Sequence, residues 1–138
     1  MDIAIVEYGA DLSDFFIKRV EEKIADVSYV KKKALDLLDC LAFLKQLSSH
    51  EHLILIAEIE RSETEKIDAF YQGLAVLEAE TGKNIFKYFY ESDEWSEEGI
   101  KNFADMFIDY VFHPEKLKEE EKKEEELFPD LEPPEPSV

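Results

Sequence analysis

Residues 52–59, HLILIAEI, form an apolar run of strand length, and the sequence then switches to a helical period that lasts to Gly82. A strand apolar on both faces, followed at once by an amphipathic helix, is the repeating unit of a parallel sheet. Parallel strands cannot be joined by a hairpin and need a crossover of about that length. The unit recurs along the chain. Ile3, Ala4, Ile5 and Val6 make a short continuous apolar run, after which Asp11 is placed to cap a helix with Leu12, Phe15, Phe16, Val20 and Ile24 on one stripe. Residues 27–31 read as a brief second strand. Residues 35–47 read as a helix turning Leu37, Leu38, Leu41 and Leu44 inward, with Phe43 beside them.

In the helix after the 52–59 strand the buried stripe is Ile67, Phe70, Leu74 and Leu77, Gly73 admits a close neighbour, and Gly82 ends the helix. Residues 84–90 give a fourth strand in which Phe86, Tyr88 and Tyr90 alternate. Residues 96–112 give a last helix with Ile100, Phe103 and Phe107 on one stripe, stopped by Pro114. Four βα units in series imply right-handed crossovers and helices on both faces. The expected fold is an α/β three-layer sandwich with a four-stranded parallel sheet of order 2-1-3-4, flavodoxin-like. Residues 1–117 form this domain and residues 118–138 a charge-dense, proline-rich tail without the composition for a packed structure. Two open sheet edges and an apolar last helix favour an oligomer.

Charge narrows the partners. The net charge is −18, and ten acidic against four basic residues from Glu115 onward account for −6 of it, leaving −12 for the rest. Such a chain is a poor ligand for nucleic acid or an anionic membrane. No apolar run nears the roughly 18 residues of a membrane span. The chain opens directly on a strand pattern without a signal-peptide layout, and the single Cys40 fits a reducing compartment, so a cytoplasmic location is expected. Cys40, among Leu37, Leu38, Leu41 and Leu44, reads as an apolar filler. His50 and His52 do not make a metal site by themselves, and no metal is expected. The four glycines form no phosphate-cradling loop.

Between strand and helix, RSETEK at residues 61–66 gathers two cations, two carboxylates and two hydroxyls on the edge where α/β sheets bind ligands. Glu58 and Glu60 read as residues that end the strand. RSETEK with its continuation IDAFYQGLAVLEAETGKNI resembles the R-G-E-T-x-H elbow and helix of lumazine synthase. KALDLLDCLAFLKQL sits where that family has P-G-x-x-[DE]-[IL], and FADMFIDYVFHPEKL is similar to the helix and F-x-P-E-x-L ending of archaeal-type riboflavin synthases. The resemblance covers residues 2–117, in order.

What the resemblance implies is a lumazine synthase-like fold and a homopentamer with its site between subunits. It implies a riboflavin synthase of riboflavin biosynthesis that dismutates two 6,7-dimethyl-8-ribityllumazine molecules to riboflavin and a diaminouracil. No cofactor is implied, and a Mg2+ requirement stays open. Tyr8 would stack on the pteridine ring, Gly9 let it near the backbone, and Asp36 bind the ribityl hydroxyls. Lys66 stands where lumazine synthase has its histidine, to neutralise developing charge or, with a lowered pKa, to act as an acid. Arg61, Glu63 and Thr64 would line the pocket, and His113 would reach a neighbouring subunit's site.

Each has a plainer reading: Tyr8 as a half-buried strand-end residue, Asp36 as an acid in a helix's first turn, Lys66 as an exposed first-turn lysine. The chain departs from the family at Lys32 and Lys33, which replace Pro-Gly, and in the acidic stretch ESDEWSEEG, which lacks basic residues. A non-catalytic relative binding a flavin or a partner is the alternative reading. Lumazine synthase proper comes third, disfavoured by Lys66 and the missing phosphate cradle.

Overall fold

Two-residue alternation in the central strands sorts their side chains between two helical layers. The computed structural model describes residues 1–113, so the expected domain end at 117 and the tail 118–138 lie outside the described residues. A body, Met1–Asp105, is distinct from a unit that begins at Met106. The elements are β1 (Asp2–Tyr8), α1 (Ser13–Lys23), β2 (Ser28–Lys33), α2 (Asp39–Gln46), β3 (His52–Glu58), α3 (Thr64–Thr81), β4 (Ile85–Tyr90) and α4 (Glu97–Phe112). The strands are all parallel in the order β2-β1-β3-β4, as the alternating pattern requires. Every strand therefore ends at the same rim of the sheet.

Ala4, Val6, Leu53, Leu55, Ala57 and Ile85 turn to one face. There they share a buried cluster with Leu37, Cys40 and Leu44 and with Phe70, Leu74 and Leu77 of α3. Their strand neighbours Ile3, Ile5, Ile54 and Ile56 are also fully buried, on the other face. On that second face Phe103 of α4 meets Phe16 of α1 at a ring-centroid distance of 5.5 Å and Tyr88 of β4 at 5.6 Å. Arg19 of α1 clasps the Asp105 carboxylate with two hydrogen bonds, at 2.9 and 3.2 Å. Ile100 and Ala104 of α4 are fully buried within the single chain.

Gly73 of α3 does what its place in the stripe suggests. A Cβ there would run into the Leu41 side chain, so the glycine lets α2 and α3 approach. Gly82 ends α3 with φ +69° and donates its N–H to the Glu78 carbonyl at 2.9 Å.

Three local expectations change. Asp11 does not cap α1: its carboxylate pairs with Lys33 instead. The cap comes from β1, where the fully buried Glu7 accepts the N–H groups of Leu12 (2.8 Å) and Ser13 (2.7 Å) and the Ser13 hydroxyl (3.3 Å). α2 begins at Asp39, not at 35. The Asp36 side chain accepts the Leu38 N–H at 3.2 Å, and the Asp36 carbonyl accepts from Asp39, so these residues form a side-chain-capped turn ahead of the helix. Leu38 is consequently half-exposed and Leu35 is 94% exposed, while Leu37 stays buried. β2, finally, is longer than its weak pattern indicated. It runs to Lys33, paired with β1 from Asp2 to Glu7, as an exposed edge strand, with Lys31 paired to Asp14 at 3.2 Å.

Candidate functional site

The rim at the carboxyl ends of the strands is assembled from four segments. β1 ends on Tyr8 and turns through Gly9; β2 runs into the turn that holds Asp36; β3 ends on Glu58 and passes through the elbow into α3; β4 ends on Tyr90. Parallel strand direction makes these segments neighbours although Tyr8 and Tyr90 stand at opposite ends of the sequence they span.

Asp36, Glu63, Lys66 and Tyr8 come together here. The Lys66 ammonium pairs with the Asp36 carboxylate and stands 4.0 Å from Glu63. Tyr8, half-buried against the cluster under α2 and α3, lies in their field. Burial raises its phenol pKa, Lys66 pulls the other way, and Asp36, Glu58 and Glu63 add to the rise. The Lys66 hydrogen bond holds the Asp36 carboxyl below the ordinary carboxylate value. The same bond raises the Lys66 pKa. Lys66 is therefore a standing cation, the opposite of the lowered pKa that an acid role requires. A cation of this kind is suited to facing negative charge rather than to giving up a proton.

The remaining expected residues are placed as follows. Arg61 is largely exposed, and its Nε lies 2.6 Å from Glu91, beyond the end of β4. Thr64 opens α3 and, with Ser62, Glu63, Glu65 and Lys66, lines an open cleft of about 390 Å³. Gly9 has φ +107°, a conformation that favours glycine, and the space a Cβ would need is filled by protein: Tyr90 Oη at 2.5 Å and Glu58 Cβ at 2.7 Å. His113 belongs to the unit beginning at Met106, where its N–H donates to the Asp109 carbonyl at 2.6 Å in the last turn of α4.

Sequence reasoning gave two rim residues, Tyr90 and Glu7, no place at the rim, while Glu58 was read as a strand end and is one. Tyr90 is buried; its hydroxyl accepts the Ala10 N–H at 2.7 Å, and its carbonyl accepts the Ile59 N–H at 2.8 Å. It therefore ties the turn after β1 to the elbow after β3, and burial pushes its phenol up to about 12, so it stays a neutral hydroxyl. Glu7, the cap of α1, stands out as the one acid inside an apolar run, IAIVEY, just ahead of a helix. Glu58 ends β3 and belongs to the rim itself, with its Cβ against Gly9.

Far from this rim, His50 pairs with Asp2 at 2.9 Å and His52 with Glu51 at 3.1 Å, near the amino ends of β1 and β3. Among the described residues no group of three or more His, Cys, Asp or Glu is arranged to hold a metal, and no helix is long and apolar enough to cross a membrane. Cys40 is buried, and burial pushes its thiol up to about 12, which leaves it a filler with no reactive thiolate. Neither protein-family models nor curated proteins give a match to this chain.

Proposed function

We propose that this chain is a riboflavin synthase-like enzyme of the lumazine synthase group that works as a homo-oligomer. Two 6,7-dimethyl-8-ribityllumazine molecules would exchange a four-carbon unit, giving riboflavin and a diaminouracil. The observation that carries the reading is the meeting of Tyr8, Asp36 and Lys66, supplied by three different segments, at one point of the rim. An aromatic ring, a polyol-binding carboxylate and a fixed cation are the three functions a ribityl-pteridine needs. Tyr8 stacks on the ring, Asp36 accepts from ribityl hydroxyls, and Lys66 faces the negative charge that builds on a deprotonated lumazine. Holding two lumazines in register supplies most of the acceleration, since neighbouring reactants gain the effective concentration that a dilute encounter lacks.

The Lys66–Asp36 pair also favours a second reading. A cation already neutralised by a carboxylate serves ligand binding as well as it serves catalysis, so a non-catalytic flavin-binding relative has the same geometry behind it. One assay separates the two. Purified protein is incubated with the lumazine, with and without magnesium, and followed by riboflavin fluorescence. Turnover is the expected result. Absence of turnover together with saturable riboflavin binding selects the binding protein, and absence of both removes the rim as a pteridine site.

A further inference from the structure

β2 is an end of the sheet: among the described residues it pairs with β1 and with no other strand. Strand alternation shows which of its backbone groups that leaves open. The N–H groups of Ser28 and Ala34 donate to the carbonyls of Met1 (2.9 Å) and Glu7 (2.8 Å), so the even-numbered residues of β2 turn toward β1. Tyr29, Lys31 and Lys33 turn their N–H and C=O outward, a template for one more strand.

The side chains along this edge are patterned. Lys31, Lys32 and Lys33 are the one run of three cations in a chain of net charge −18, and Tyr29 and Val30 precede them. Lys32 pairs with no carboxylate among the described residues. Lys31 and Lys33 are held by Asp14 and Asp11, whose side chains are largely exposed, and pairs so exposed are weak enough to be exchanged. Half-exposed Tyr29 lines an open cleft of about 400 Å³ with Asp14, Ile17, Lys18, Glu21 and Glu22 of α1. Acids at the Tyr29 end would meet Glu21 and Glu22, so an incoming strand fits with its charge at the Lys33 end and apolar residues at the Tyr29 end.

We propose that this edge receives an acidic extended segment of a partner protein as an added antiparallel strand. Its acids stand opposite Lys33, Lys32 and Lys31, and its apolar residues opposite Val30 and Tyr29. Main-chain hydrogen bonds to Tyr29, Lys31 and Lys33 hold the segment, and opposite charges across the pair select it. Antiparallel pairing is the stronger of the two directions. A second copy of this edge is refused, because it would crowd lysines together without counter-charge. None of this involves the rim or its ligand.

The test titrates dye-labelled, capped peptides centred on EEEVF or KKKVF into the full chain and reads fluorescence anisotropy. Attraction by net charge alone favours KKKVF on a chain of −18, whereas the edge favours EEEVF, which is expected to bind at least about tenfold tighter. Amide exchange at Tyr29, Lys31 and Lys33 is expected to slow at least about tenfold at saturating EEEVF, with Val30 and Lys32 unchanged. Lys32→Glu, an exposed change outside the core, lowers EEEVF affinity at least about fivefold, and EKEVF, which carries the reciprocal charge, restores it. No binding of EEEVF, or KKKVF binding as well or better, overturns the recognition. EEEVF bound without slower exchange at those amides, or bound equally by Lys32→Glu, overturns strand addition at this edge. Exchange there that slows with protein concentration before any peptide is added assigns the edge to a second copy and overturns the partner.

Discussion

At the scale of single residues, the rim carries two kinds of carboxylate, distinguished by what they hold. Glu7 is fully buried and satisfies backbone donors at the start of α1. Its replacement strands those amides, so Glu7→Ala is expected to destabilise the chain by about 2–3 kcal/mol in urea unfolding, with faster amide exchange in the first turn of α1. A loss under about 0.5 kcal/mol would mean that water substitutes freely for the carboxylate. Asp36 instead holds Lys66. Lys66→Ala is expected to lower lumazine turnover at least about tenfold, and wild-type rates in that variant would assign the charge role elsewhere. The sequence singled out Tyr8, Asp36 and Lys66 through the resemblance, and the fold brings them near one another at the rim. The contacts of Glu7 and Tyr90 were not legible, because a residue's partner across a sheet is set by register, which no local pattern encodes. Asp11 shows the same limit from the other side. Its position fits a cap, yet Lys33 from a neighbouring strand claims it.

At the scale of elements, strands and helices followed the apolar period closely, and errors fell at the ends. α2 begins later than its leucines suggest because Asp36 offers the backbone a turn that competes with the helix. Apolar spacing does not record that competition. Gly73, by contrast, was readable, and the helix pair it admits gives a quantitative check. Gly73→Ala gains about 1 kcal/mol of helix propensity and loses some of it to overlap with Leu41. In a Leu41→Ala background the overlap disappears, so a double-mutant cycle is expected to show coupling of about 1 kcal/mol between the two sites. Additive effects would place the contact elsewhere. β3 brings a pH dependence. Burial, the largest influence on His52, lowers its pKa below 6.5. As pH falls through 6.5 the unfolded chain takes up the proton first, so stability drops from there toward the lower folded pKa. Urea midpoints compared at pH 7 and pH 5.5 should show a fall that shrinks in His52→Gln; an identical fall in both proteins would assign it to other groups.

For the whole molecule, the sequence carried the sheet order because four βα units with right-handed crossovers leave few arrangements, and β2-β1-β3-β4 is one of them. The chain's −18 charge makes a further prediction. Self-repulsion destabilises a compact acidic body, so the melting temperature should rise between about 0.02 and 0.5 M NaCl as screening shortens its reach. A flat response would show that the charges are already balanced locally. The β2 edge meanwhile holds three exposed lysines in succession, Lys31 and Lys33 on one face and Lys32 on the other. Unpaired strand edges invite stacking of like molecules into fibrils, and a file of ammonium groups is one of the ways proteins prevent it. Acylating those amines would strip that guard without touching the core. The first damage would then appear as turbidity in a concentrated solution, with the folded signal still intact.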